Sequence, residues 1–378
     1  MKRLFATVLA ILTLPLPAHA TDQEMTRAEV RALTRQVMPP GKDAAGWAAD
    51  IRGALVVNGI RPSRSNVCSV MAIIEQESTF TANPEVSGLG RMAEQQIKAK
   101  LSRLPMLSGV AATGVDVFIA MKPTPEKSYL SMIRAARTER DLDLVYRNLT
   151  FFLFREYATT RLLNASAVAQ RLDAANPVST LGSMQVSAAY AIAEVETARK
   201  QRLGLGAIWK LRDELYTRKG GVRYGTRMLL GYRAAYPSRL FAFADYNAGR
   251  YASRNAAFQH MVSELSVKEL ALDGDLMLYE GGKPKPDASA TEKALRSLEL
   301  MDEESLRADL MREKDFAFRD TDTYRLISRT FAQRAGKPAP YAMLPQIRLK
   351  SPKIRSHMTT EIFARAVMRR YERCMEVR

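Results

Sequence analysis

Glu77 is the residue of this chain best placed for acid–base chemistry. Val67, Val70, Met71 and Ile74 fall at i, i+3, i+4 and i+7, one apolar stripe of a helix, and Glu77 continues it seven residues past Val70. Glu75, two residues earlier, points about 200° away around the same helix. A carboxylate held against apolar groups is poorly solvated as an anion, so its pKa rises. One such carboxyl can give up a proton near neutral pH and take it back, which is what a general acid and base must do. The plainer reading is a carboxylate at a frayed helix end, capped or solvated.

Two later segments add polar groups in order behind Glu77. The three read Ile73-Ile74-Glu75-Gln76-Glu77-Ser78, Gly182-Ser183-Met184-Gln185-Val186 and Ala244-Asp245-Tyr246-Asn247-Ala248-Gly249. In that order they resemble the Glu-Ser, Gly-Leu-Met-Gln and Ala-Tyr-Asn-Ala-Gly motifs of lytic transglycosylases. The resemblance covers only these motifs and their flanks. It implies a mainly α, lysozyme-like fold of the transglycosylase and goose-lysozyme type, and cleavage of peptidoglycan glycan strands without a cofactor. Glu77 would protonate the bond between N-acetylmuramic acid and N-acetylglucosamine, then take a proton from the muramic 6-hydroxyl. That oxygen closes on C1 and leaves a 1,6-anhydro end.

By the same resemblance, Tyr246 matches the tyrosine that lies beside the catalytic glutamate and helps hold it. Asn247 matches the asparagine that shapes the sugar site, and Met184 and Gln185 match residues lining the cleft floor. Ser87 or Ser179 matches the serine that contacts muramic acid, with the choice left open by an insertion. Plain core packing is the competing role for Tyr246 and Gln185. Two positions depart from the family pattern. Ser183 stands where Leu is usual, giving that loop a more polar floor. Asp245 stands where a small residue is usual, either as a second carboxylate for water-dependent hydrolysis or facing solvent beside the helix end. The solvent-facing place is the expected one.

Helices must carry these groups, because no convincing run of alternating strands occurs. Residues 24–38 predict a helix stopped by Pro39-Pro40, and 44–58 a second ended by Asn58-Gly59. Ser65 is the expected N-cap of the helix carrying Glu77. The phrase Asn83-Pro84-Glu85-Val86-Ser87-Gly88-Leu89-Gly90 returns in similar form at Asn176-Pro177-Val178-Ser179-Thr180-Leu181-Gly182. Between them lies a helical insertion over about 91–175, with Val115–Met121, Tyr129–Ala136 and Phe151-Phe152-Leu153-Phe154. Its apolar spacing favours a buttress over a lid or docking surface.

Residues 188–230 predict two or more helices with Lys219-Gly220-Gly221 between them. Val222-Arg223-Tyr224-Gly225, like a tyrosine-glycine stretch of the family, is expected before the next one. Pro237–Tyr246 is the helix that delivers the third motif. These segments make a domain over 21–275, followed by a helical C-terminal extension over 276–378. In the extension, Gly281-Gly282-Lys283-Pro284-Lys285-Pro286 reads as a loop or short linker, 290–335 as helices and Pro338 to Ser351 as a Pro-rich arm. A terminal helix, 359–376, would dock Phe363, Ala366, Val367, Tyr371 and Cys374 on the core, with Met375 at the edge.

Residues 1–20 read as a signal peptide: basic Lys2 and Arg3, a mostly apolar Leu4 to Leu16, and an Ala18-His19-Ala20 cleavage site. No Cys stands near that site, so the expectation is a soluble periplasmic chain starting near Thr21. The 57 Lys and Arg outnumber 40 Asp and Glu, a formal charge of +17. Export argues against nucleic acid as the partner. Peptidoglycan carboxylates, or an anionic membrane surface met peripherally, fit such a chain, as does plain surface solvation. Cys68 and Cys374 could pair in an oxidising compartment. Both also sit on helix-like segments, where a buried free thiol is common. The 3 His residues form no metal-spaced set, and no metal site is expected.

A wider resemblance runs over nearly the whole mature chain. It is carried by Asn176-Pro177-Val178-Ser179, Asp245-Tyr246-Asn247-Ala248-Gly249, Tyr251-Ala252-Ser253-Arg254-Asn255-Ala256-Ala257-Phe258-Gln259 and Ala271-Leu272-Asp273-Gly274-Asp275-Leu276. Leu344-Pro345, Ser351-Pro352-Lys353-Ile354 and Thr359-Thr360-Glu361 extend it. These phrases are similar to a family of proteobacterial envelope proteins, domain of unknown function 1615. That family implies no activity, and many members are lipoproteins. The expected function is a lytic transglycosylase. A muramidase that adds water is the near rival. A non-catalytic peptidoglycan-binding factor with cell-envelope partners is the alternative from another class.

Overall fold

Hydroxyl or carboxylate side chains such as Thr26, Asp43, Ser63, Thr321 and Thr359 cap many of the helix starts, although those after Gly204 and Tyr251 begin without one. In order the helices are α1 (Arg27–Val37), α2 (Ala44–Val57), α3 (Arg64–Ser78), α4 (Leu89–Leu101), α5 (Ala112–Met121), α6 (Tyr129–Ala135), α7 (Glu139–Tyr157) and α8 (Ser166–Ala175). Then follow α9 (Ala188–Arg199), α10 (Leu205–Tyr216), α11 (Arg218–Leu230), α12 (Arg239–Ala248) and α13 (Ala252–Ser266). The series closes with α14 (Ala290–Arg296), α15 (Glu303–Leu310), α16 (Asp322–Ala335) and α17 (Thr360–Glu376). The fold is mainly helical. This computed structural model describes residues 23–101, 112–157, 166–280, 283–349 and 358–378. The predicted signal segment, Gly281-Gly282 and Ser351-Pro352-Lys353-Ile354 lie outside the described residues.

Two short antiparallel hairpins interrupt the helices. β1 (Thr180–Leu181) pairs with β2 (Val186–Ser187), Thr180 opposite Ser187. β3 (Tyr279–Glu280) pairs with β4 (Lys283–Pro284), so the expected loop around Lys283-Pro284 is a hairpin instead. Backbone pairing across the turn satisfies groups that a loop would leave to water.

α3 is the axis of the first core. Its N-cap is Ser63, whose hydroxyl accepts from the Asn66 N–H at 3.3 Å from an extended backbone. Ser65, the expected cap, lies in the first turn, where its hydroxyl meets Tyr371 at 3.0 Å. A cap must stand before the helix to reach the N–H groups of its first turn, and Ser63 does so. Val67, Val70, Met71 and Ile74 are fully buried, but so are Cys68 and Ile73, so packing covers more than the one stripe. The helix ends on two successive left-handed residues, Thr79 (φ 48°) and Phe80 (φ 55°). Such backbone is uncommon outside glycine, most of all for a β-branched residue. Phe80 is buried edge-on against Trp47 at 5.5 Å, which offsets the strain of this corner.

α4 to α8, the helices of the segment between the two similar Asn-Pro phrases, share this core through Ile97, Ile119, Ile133, Leu142, Leu149 and Leu172. A buried ionic cluster adds a second tie. Asp143 of α7 accepts from Arg212 of α10 at 2.9 Å and from Asn176 at 2.6 Å. Of the expected aromatic run, Leu153 is buried and Phe152 packs beside Tyr129, while Phe151 is exposed and the Phe154 side chain lies outside the described residues.

Lys219-Gly220-Gly221 does not separate two helices; it forms the first turn of α11, and Val222-Arg223-Tyr224-Gly225 continues the same helix. The break comes earlier, at Thr217, the N-cap of α11. A Cβ on Gly220 would stand 2.0 Å from the Glu214 carbonyl oxygen. The glycine therefore lets α11 fold back tightly on α10 rather than breaking a helix.

A second core gathers Phe258 of α13 with Phe318, Tyr324, Ile327 and Phe331 of the later segments. Phe258 stacks on Tyr324 at 5.6 Å. The arm after α16 returns along the molecule, with Met343 N–H on the Ser253 carbonyl and Gln346 N–H on that of Leu272. α17 rejoins the first core. It buries Phe363, Val367 and Cys374 as the spacing predicts, with Ala364 rather than Ala366 fully enclosed. Cys68 and Cys374 form a disulfide with their Cα atoms 5.6 Å apart. Beside it, Arg373 of α17 pairs with Glu75 at 2.5 Å. Glu75 thus turns away from the Glu77 side and toward the terminal helix.

Candidate functional site

A cleft of about 670 Å³ opens where α3, the β1–β2 hairpin, α9, α11, α12 and the C-terminal segment meet. Gln76 and Glu77 come from the end of α3, Thr180, Gln185 and Ser187 from the hairpin, and Asn247 to Arg250 from the end of α12. Tyr190, Met228 and Tyr246 line it as well, and Leu349, Met358 and Phe363 form its C-terminal side. Glu77 is half-buried there.

Tyr246 is buried next to Glu77. Burial, then the negative charge of Glu77, pushes the Tyr246 phenol well above its ordinary pKa. It stays a neutral hydroxyl. Its proton goes to the Met184 carbonyl oxygen at 2.6 Å, so Tyr246 ties α12 to the hairpin loop while flanking the glutamate.

Gln185 lines the cleft from a left-handed backbone (φ 49°), and its side-chain amide is engaged at both ends. Its oxygen accepts from the Thr180 hydroxyl at 2.8 Å, and its nitrogen donates to Glu139 at 2.7 Å. Glu139 opens α7 and is buried, so α7 braces the hairpin through this bond. Met184 is fully buried and lies beneath the cleft, not on its surface. A Cβ on Gly225 would stand 2.4 Å from the Met184 sulfur, so a bare helix backbone at Gly225 makes room for it. Ser183 does not add polarity to the floor, because it is fully buried beside Gly221.

Neither Ser87 nor Ser179 lines the cleft; both are exposed. Thr180 and Ser187, opposite each other in the hairpin, supply the hydroxyls instead. Side chains alternate along a strand, so the residue next to Thr180 turns outward. Ser87 sits in the turn before α4. Thr180 follows Ser179 directly in the Asn-Pro-Val-Ser-Thr phrase, and only the pairing of β1 with β2 sets which of the two hydroxyls faces the cleft.

Asp245 does not face solvent. It is 2% exposed, and its carboxylate accepts from the Tyr236 hydroxyl at 2.6 Å, the Ser253 N–H at 2.7 Å, the Tyr251 N–H at 2.9 Å and the Tyr232 hydroxyl at 3.0 Å. Burial raises its pKa, and these donors oppose the rise. Its work is to fasten the α12–α13 corner: the turn's own N–H groups point inward, and a carboxylate gathers them. Although it borders the cleft, its acceptor positions are already committed.

Asn247 is half-buried, and its side-chain oxygen accepts from the Thr360 hydroxyl of α17 at 2.9 Å. Arg250 donates to the Tyr190 hydroxyl and the Arg227 carbonyl, both at 2.8 Å, and shares Glu194 with Arg227. Two guanidiniums around one carboxylate leave a net positive charge on that rim. Thr360, Arg250 and the C-terminal apolar wall were missed in the sequence, since only long-range packing brings them here. Among the described residues no group of three or more His, Cys, Asp and Glu side chains could hold a metal ion. Among them, too, no helix is long and apolar enough to cross a membrane.

Residues 41–377 match the family described as "Protein of unknown function (DUF1615)", and the chain belongs to that family. The chain is similar to "Uncharacterized protein YaiW" of Escherichia coli (strain K12), 36% identical over 380 residues, which cover 98% of this chain and 97% of that one. No solved structure matches.

Proposed function

We propose that this chain is an exported peptidoglycan lytic transglycosylase with a lysozyme-like helical core, using Glu77 as its general acid and base. The observation that carries the reading is the convergence of Glu77, Gln185, Tyr246 and Asn247 on one cleft from three separate segments. Glu77 protonates the oxygen between N-acetylmuramic acid and N-acetylglucosamine as the C1–O bond breaks and oxocarbenium character develops. Its carboxylate then accepts the proton of the muramic 6-hydroxyl, whose oxygen bonds to C1. No water enters, and the acid is restored.

The surroundings of Asp245 support this route over hydrolysis. Conventional glycosidases need a second carboxylate to activate water or attack the sugar. Asp245 borders the cleft, but its oxygens hold four donors of the α12–α13 corner. The substrate's own hydroxyl supplies the nucleophile instead. The neutral Tyr246 phenol and the hairpin hold the geometry. The basic balance of the chain suits a polymer whose stem peptides carry carboxylates.

Mass spectrometry of muropeptides released from purified peptidoglycan, with Glu77→Gln in parallel, tests the proposal. Anhydro-muramyl products that vanish in the variant are expected. Reducing ends one water heavier would replace it with a muramidase. The absence of any product would leave a glycan-binding scaffold.

A further inference from the structure

Among the described residues the Asn247 side chain makes one hydrogen bond, and its partner is on α17. The Thr360 hydroxyl, itself 0% exposed, donates to the Asn247 side-chain oxygen at 2.9 Å. Thr360 is held in turn by its own N–H on the Ile347 carbonyl at 3.0 Å. Its place is fixed further by the packing of α17 against both α3 and α12. With the Thr360 hydroxyl donating, the oxygen end of the amide is taken. In this arrangement the amide is held with its oxygen toward α17. The Asn247 nitrogen, with two N–H donors and no hydrogen bond among the described residues, is left on a residue that lines the cleft.

We propose that Thr360 is a positioning residue which turns the Asn247 amide into a donor for the carbonyl oxygen of a 2-acetamido sugar. The C-terminal extension then completes the sugar site rather than merely covering it. The inference rests on the glycan-cleaving role proposed above and adds to it the group recognised and the residue responsible. Without the Thr360 hydroxyl the amide is free to rotate and offer its oxygen, and preference for an acetamido carbonyl is lost. Gln185, whose amide is engaged at both ends, does not compete for that task.

The test uses the mature chain carrying Glu77→Gln, so that ligands stay uncut. Its affinities are measured calorimetrically for a peptidoglycan tetrasaccharide and for the same sugar with its N-acetyl groups removed. Loss of one hydrogen bond corresponds to about tenfold in affinity. The parent should therefore bind the acetylated sugar about tenfold more tightly. Adding Thr360→Val, which keeps the shape and removes the hydroxyl, should weaken only the acetylated sugar and erase the preference. Thr360→Ser should restore it. Equal weakening of both sugars, which is what a merely structural role gives, overturns the proposal, as does an unchanged preference. If the otherwise native chain with Thr360→Val releases anhydro products with its acetyl preference intact, the transglycosylase reading stands and this inference alone falls. If neither sugar binds and the native chain releases no product, both fall together.

Discussion

Asp143 and Arg212 meet at 2.9 Å with both side chains sealed from solvent, one on α7 and the other on α10. Arg212 reaches on to Asp173 and to the Val178 carbonyl, just ahead of β1. Removing one partner of such a pair leaves the other charge buried and uncompensated. Asp143→Ala is expected to lose about 3–5 kcal/mol of stability, read from urea unfolding. A loss below about 1 kcal/mol, the range of exposed pairs, would mean that the cluster does not tie α7 to α10.

The Cys68–Cys374 disulfide closes a loop of 306 residues. A long closed loop restricts the unfolded chain strongly, so losing the bond should cost about 3–5 kcal/mol. Thermal unfolding of the native chain should shift downward with reductant, and a Cys68→Ala/Cys374→Ala variant should unfold at the reduced value in both conditions. Identical midpoints for oxidised and reduced protein would show that the staple carries no stability.

Glu313 is fully buried, and burial pushes its carboxyl up to about 6 from an ordinary 4.5, against the hydrogen bonds of Tyr279 and the Leu276 N–H. The folded chain thus binds this proton more tightly than the unfolded one. No penalty exists below pH 4.5; stability falls as pH rises toward 6, and above it the full loss of about 2 kcal/mol applies. Glu313→Gln keeps an acceptor for Leu276 and has no proton to lose. It should be more stable than the native chain at pH 7.5 by about 2 kcal/mol, with the gap closing near pH 4.5. Denaturant midpoints at the two pH values decide it, and a pH-independent gap would refute the assignment.

Glu77 and Asp245 should fail in different ways. On the role proposed for Glu77, Glu77→Gln is expected to lower anhydro-muropeptide release by about 10²–10⁴-fold with unfolding temperature unchanged. Asp245→Asn disturbs an acceptor of four donors and should lose about 1–3 kcal/mol of stability. The products still made should keep their anhydro ends. If Asp245→Asn instead switched or abolished the product in a fully folded chain, Asp245 would belong to the chemistry.

Periodicity was enough to read α2, with bounds within a residue, and the apolar stripe of α3. α2 ends on the local stop Asn58-Gly59, and the stripe of α3 is fully buried even though packing covers its other faces too. Glu77, Gln185, Tyr246 and Asn247 stood out because each sits in a short contiguous phrase. Asp245 could not be placed the same way: its donors lie on Tyr232, Tyr236, Tyr251 and Ser253, and its burial depends on how two helices turn a corner. Gly220 and Gly221 show a second limit. A missing Cβ serves both to break a helix and to let two helices touch, and sequence does not say which. Thr360 looked like a helix start, because nothing nearby in the chain mentions Asn247.

Every other wall of the cleft precedes α17 in the chain, yet α17 packs against both α3 and α12. During synthesis the groove holding Glu77 and Asn247 therefore stays open-sided, with bare apolar flanks, until Thr360 to Cys374 have been made. A polypeptide halted before that point carries Glu77 in an unfinished groove and presents the apolar surface that quality-control proteases and chaperones grip. Arrival of α17, rather than folding of any one earlier segment, is the event that closes the groove.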